Sequence, residues 1–143
     1  MKQLKKIDPF IGKILVDARR IFVEADDEEF CVGIELTFTS GQLLIRALSE
    51  TDTLSVEHVL SNSEEIESWE RRSLKRSTCF YKYKGQLLVN AWVCFGSENY
   101  CDAIDFGFGD LNLPNVKVLS LTSEVIELAV SPLFDDAIDS IQH

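Results

Sequence analysis

The sequence predicts an α+β fold: a mainly antiparallel, twisted β-sheet of about six to eight strands, in hairpins and a meander, with one or two short helices packed on it. Three observations predict it. Apolar residues recur with a period of two over most of the chain, the spacing of strands with one buried face. Turn-forming clusters interrupt these runs at hairpin intervals. And 143 residues, 45% of them hydrophobic and 10% aromatic, suffice for one core and hence one domain over residues 1–143.

At the N-terminus, Lys2, Lys5 and Lys6 are followed by apolar residues that Asp8, Lys13, Asp17 and Arg19 interrupt. No secretory leader is expected from that pattern, and no run approaches the roughly 20 apolar residues of a membrane helix. The chain is read as cytoplasmic, with Cys31, Cys79, Cys94 and Cys101 as reduced thiols. Over residues 12–23, the Ile14, Val16, Ala18 alternation favours a strand, while Ile14, Leu15, Ala18 and Phe22 also suit a helix face. Asp26, Asp27, Glu28 and Glu29 repel one another and read as a solvated loop. They lack the alternation and the glycine of a calcium loop.

Phe30, Val32, Ile34, Leu36 and Phe38 alternate with Cys31, Gly33, Glu35 and Thr37, and the turn at 39–42 leads into a second strand at 43–48. A third strand at 54–60 puts Leu54, Val56, His58 and Leu60 on one face. Ser61, Asn62 and Ser63 before Glu64 and Glu65 predict a helix start. Its stripe would be Ile66, Trp69 and Leu74, and Arg71, Arg72, Lys75 and Arg76 would sit at its C-terminal end. A three-stranded meander is expected next, at 78–83, 86–95 and 100–108, with turns at Lys84-Gly85 and 96–99. One or two more strands over 116–121 and 125–131 and a short amphipathic helix at 132–142 complete the reading.

The run Gly41-Gln42-Leu43-Leu44-Ile45-Arg46-Ala47 returns 44 residues later as Gly85-Gln86-Leu87-Leu88-Val89-Asn90-Ala91, which supports both strand assignments. The first copy through Arg46, followed by Thr51-Asp52-Thr53-Leu54, resembles the hairpin and the D-T-D-like tract of a family of small, strand-rich bacterial domains of unknown function. The resemblance spans roughly the first half of the chain. It implies a strand-rich fold and a bacterial source, and it carries over no catalytic residue.

Each familiar constellation of catalytic or ligand-binding residues fails a spacing test. No CxxC, HxxxH or HExxH occurs, and the closest cysteines, Cys94 and Cys101, lack two further ligands, so no metal is expected. His58, the one internal histidine, has no isolated Ser or Cys to activate. Gly107-Phe108-Gly109 lacks the third glycine and the following helix of a phosphate loop, so no nucleotide cofactor is expected. Asp102 and Asp105 fall on opposite faces of a strand, which excludes a paired-carboxylate site. No catalytic residue is assigned.

Charge is the positive lead. Twenty-four acids and 14 bases leave −10, which argues against nucleic acid or an anionic membrane as partner. Residues 85–143 hold nine acids and one base, Lys117. Trp92 and Asn90, sharing a face with Tyr100 or Tyr83 beside Glu98 and Asp102, would form an aromatic patch rimmed by charge. Trp92 as core beneath the 64–76 helix is the equal alternative. Trp92, Glu98, Tyr100, Asp102 and Asp110 are therefore the expected partner-binding residues.

Two function classes follow. The first is an acidic inhibitor or immunity-type module that neutralises a basic partner such as a toxin nuclease, where opposite charge speeds association. The second is a small-ligand or enzymatic domain with a pocket assembled from distant residues, His58, Arg46, Tyr81 and Asp105 among them. A homodimer through an uncovered sheet edge is compatible with either.

Overall fold

The computed structural model describes residues 2–48, 53–59, 72–95, 101–109, 112–121 and 124–130. Nine strands run through them: β1 (Leu15–Ala25), β2 (Glu28–Phe38), β3 (Gly41–Leu48), β4 (Thr53–Val59), β5 (Arg72–Arg76), β6 (Leu88–Phe95), β7 (Cys101–Phe108), β8 (Val116–Leu121) and β9 (Glu124–Ala129). A short helix, α1 (Lys2–Ile7), precedes them. The fold is strand-rich α+β, as expected, but its strands divide between two antiparallel sheets, ordered β4-β3-β2-β1-β5 and β6-β7-β8-β9. The second is the meander, one strand later than the sequence places it.

One core serves both sheets. Ile34, Leu36, Leu43, Ile45, Leu54 and Val56 of the first meet Ile104, Phe106, Val116, Val118 and Val125 of the second, all at most 1% exposed. Alternating residues supply this layer because each strand turns every second side chain inward. Ile7 of α1 is buried in the same core, as is Phe10, whose ring lies tilted against Phe38 at 5.0 Å between centroids. Phe80 stands edge-on to Phe106 and Phe108, and Tyr83 stacks on Phe108. Across the first sheet, Ile21 and Leu44 close over Gly33 as a smaller cluster with Val32.

Among the described residues, four bulges reset the alternation. Val16, Val32, Val89 and Asp102 are each an extra residue against the facing strand. At Val32 the register passes from Ile21–Gly33 to Phe22–Cys31, and Cys31 joins the main core while Val32 does not. At Val89 it turns Leu88 inward and leaves Leu87 46% exposed. Ala91 is buried in the core and Val93 packs against it.

Within residues 12–23, the chain from Leu15 onward is strand rather than helix. Arg72–Arg76, expected at a helix end, form an edge strand whose backbone pairs with β1. Its cations suit an edge: Lys75 meets Glu29 at 2.7 Å and lies over the Phe22 ring. The helix start at 61–65, with Ile66 and Trp69, lies outside the described residues. So do the 96–99 turn and the 132–142 helix. Residues 78–83 are not a strand; they bend and close in a 3-10 turn at Tyr81–Tyr83 because Glu127 and Ser77 hold their backbone. Of the acidic loop, only Asp26 and Asp27 form the turn, and Glu28 and Glu29 belong to β2.

Candidate functional site

Three places concentrate chemically capable side chains, and their geometry separates framework from surface. The first lies between the sheets. Glu127 shares an inward position on β9 with Val125, and its carboxylate is 8% exposed as a residue. It accepts bonds from Ser77 Oγ and, at 2.8 Å, from the Cys79 amide, while Ser77 Oγ accepts from the Phe80 amide at 3.0 Å. Arg20 Nε stands 3.2 Å from Glu127 Oε2, without hydrogen-bond alignment. Glu124 Oε1 accepts the Cys31 amide at 3.2 Å.

This cluster of Ser, Cys, Glu and Arg does not amount to a nucleophilic site. Burial pushes the Cys31 thiol up from its ordinary range, against the opposing pull of Arg20. Burial also raises Cys79, and the negative charge of Glu127 adds to it. A nucleophilic cysteine needs the reverse shift. The cluster is a tether joining β1, β2, β9 and the 77–80 bend. Its members lie 48 to 50 residues apart along the chain in the Ser77 and Cys79 contacts, so no local motif announces it. The available signal was a glutamate at the inward-facing parity of Val125.

The second place is the outer face of the β6–β9 sheet. Trp92 pairs with Asp105 and lies above Gly107, where an added Cβ would come within 3.2 Å of the indole and 2.5 Å of the Leu113 carbonyl. Trp92 is thus half-buried on the outer face, away from the core. Asp105 binds Lys117 at 3.1 Å, and Cys94 Sγ approaches the same carboxylate oxygen at 3.8 Å. Asp102 is exposed at a bulge, so strict alternation no longer assigns its face relative to Asp105. Tyr83 is in the core cluster and takes no part here. Glu98, Tyr100 and Asp110 lie outside the described residues. Cys94 pairs with Ala103 and Cys101 with Phe95, so the two cysteines are not opposite each other.

The third is the tip of the β1–β2 hairpin. Glu24, Asp26, Asp27, Glu28 and Glu29 are all exposed, and Glu24 faces Glu29 directly across the ladder. Asp26 and Asp27 adopt left-handed φ of 52° and 63°, a two-residue turn that favours Asn-Gly.

Among the described side chains, those expected for a ligand pocket do not converge. Arg46 on β3 pairs with Glu57 at 3.1 Å, and Asp105 is on the other sheet. Tyr81 lies between Arg76 and Lys84, each over its ring. His58 pairs in register with Leu43, and its side chain lies outside what is described. An open recess of about 220 Å³ touches Val23, Val32, Arg46 and Ala47, below the range of about 300–1,000 Å³ usual for ligand pockets. Among the described residues, no three His, Cys, Asp or Glu side chains gather as a metal site, and no helix is long and apolar enough to cross a membrane.

A family model described as Family of unknown function (DUF6334) matches residues 1–131. No curated protein and no solved structure matches the chain.

Proposed function

The chain belongs to the Family of unknown function (DUF6334), and we propose that it is a small acidic protein-binding module that neutralises a basic protein, in the manner of an inhibitor or immunity protein. The supporting observation is where the charge goes. Along the sheets, cations and acids pair with each other, as in Arg20–Glu127, Arg46–Glu57 and Asp105–Lys117. The exposed tip of β1–β2 gathers five acids in a turn and ladder they disfavour, and of these Glu29 meets Lys75 on β5. Opposed like charges and left-handed aspartates cost stability, whereas a dense acidic tip steers a cationic partner into encounter. Asp102, with Trp92 half-buried near it on the same hairpin, supplies a second acidic position.

The reading takes the cytoplasm as the place of action, where the free thiols of Cys31, Cys79 and Cys94 stay reduced. The test is purification of the tagged full chain from its own cells, followed by reconstitution with any stoichiometric partner. A basic protein that binds the purified chain one to one, faster at low salt, supports the reading. Charge reversal at Asp27 and Glu29, or at Asp102, should then slow association with dissociation little changed. Association indifferent to salt and to both reversals sinks it.

A further inference from the structure

The start of β1 carries charge of the opposite sign to the acidic tip. The Gly85 amide donates to the Leu15 carbonyl at 2.7 Å, which sets Lys84 and the Tyr81–Tyr83 turn beside that start. Arg76 stands over the Tyr81 ring at 4.2 Å and Lys84 at 5.2 Å, and exposed Lys82 belongs to the same turn. These three cations make no ion pair with a described residue, and Asp17 on β1 is taken by Arg19. Beside them lies an apolar surface. Ile14, 40% exposed, bridges to Leu87, 46% exposed, and Val16 follows at 42%. Adjacent exposed aliphatic side chains with a charged border have the make-up of a contact surface.

At the other end of β1, Glu24, Asp26, Asp27 and Glu28 likewise make no ion pair with a described residue. The 11 residues of β1 hold the two ends about 36 Å apart. That is several times the Debye length of about 8 Å at physiological ionic strength. Neither end can neutralise the other within one molecule. Between two molecules, nothing keeps them apart.

We infer that a second copy of this chain seats its acidic β1–β2 tip on the cation-bordered apolar surface at the start of β1. Opposite charge aligns the copies, and cover over Ile14, Val16 and Leu87 holds them. Two copies lying antiparallel make the contact twice, and a longer array makes it once per neighbour. The contact needs no basic partner, but it covers the tip assigned to one, so a partner and a second copy compete for the same acids.

Sedimentation velocity of the full chain, from about 10 µM to about 1 mM, measures the self-association. It is run near 0.1 M salt, where a Debye length of about 10 Å screens the net charge of −10 between copies but leaves close pairs attracted. Asp26→Lys/Asp27→Lys and Lys82→Glu/Lys84→Glu are compared with the unaltered chain, each checked for native far-UV circular dichroism. Either reversal should weaken association about tenfold, the first even though it lowers the net negative charge. Mixing the two variants should restore a one-to-one pair, because one intact tip then meets one intact cationic surface. Where a reversal prevents folding, Asp26→Asn/Asp27→Gly or Lys82→Ala/Lys84→Ala removes the charge instead, and weaker association is again expected. A chain monomeric throughout, association unchanged by the charge variants, or a mixture that stays monomeric overturns the inference. Lys82→Glu/Lys84→Glu keeps the tip whole, so binding of a basic partner to that variant is scored independently of self-association.

Discussion

Arg20 and Glu127 face each other from opposite sheets, 3.2 Å apart, with the carboxylate side chain 2% exposed and the guanidinium 27%. The pair is asymmetric: Arg20 reaches water, and Glu127 does not. Losing the cation therefore strands a buried anion, whereas losing the anion leaves a cation that can be solvated. Buried pairs of this kind add little net stability over an apolar pair but are costly to break from one side.

Arg20→Met should destabilise the protein by about 3–5 kcal/mol, the cost of an uncompensated buried charge. Glu127→Gln retains an acceptor for Ser77 and Cys79 and should cost less, about 1–2 kcal/mol. Urea denaturation of the two variants measures the difference. Equal losses would show that the tether's strength lies in the hydrogen bonds rather than in the charge.

The buried thiols set an alkaline limit. Cys31 and Cys79 hold their protons more tightly folded than unfolded, chiefly through burial. Above the ordinary thiol pKa, near pH 9, the unfolded chain ionises first, so stability is full below that point and falls as pH rises toward the folded values. Cys31→Ala/Cys79→Ala should flatten this decline between pH 8.5 and about 10.5 in denaturation midpoints. A decline of the same slope in the variant would assign it to other groups.

At the β1–β2 tip, Asp26→Asn/Asp27→Gly should stabilise by about 1 kcal/mol, because asparagine and glycine occupy left-handed φ more easily and two like charges leave the turn. Thermal melting reads this as a rise of a few degrees, about 2–6 °C for a chain of this size. A fall in Tm would mean that the aspartates make stabilising contacts of their own.

Gly107→Ala should destabilise by about 1–3 kcal/mol, since the new methyl meets backbone at 2.5 Å and the Trp92 ring at 3.2 Å. Trp92 emission should change with it. An unperturbed Trp92 would show that the segment bearing Leu113 gives way instead.

Strand identity was largely legible. Residues 30–38, 43–48 and 116–121 needed only alternation and turn chemistry, and the Leu54, Val56 face is in the core. The repeated Gly-Gln-Leu-Leu run marked strands truly but not their facing: Leu43 is buried in the main core, whereas its counterpart Leu87 is exposed. A bulge after Leu88 makes that difference, and a bulge depends on the facing strand. The Arg72–Arg76 edge strand was missed for a related reason. Its cations look like a helix terminus until β1 supplies the hydrogen bonds and Phe22 and Glu29 the contacts.

By itself the sequence determined a strand-rich chain with one core, its main hairpins and an excess of acid, because period, composition and charge are properties of consecutive residues. Only the tertiary structure decided that the strands part into two sheets, that Trp92 turns outward over Gly107, and that Glu127 is tied to Arg20, Ser77 and Cys79. Those relationships join positions up to about a hundred residues apart, and which strand lies opposite which is settled by the packing of the whole core.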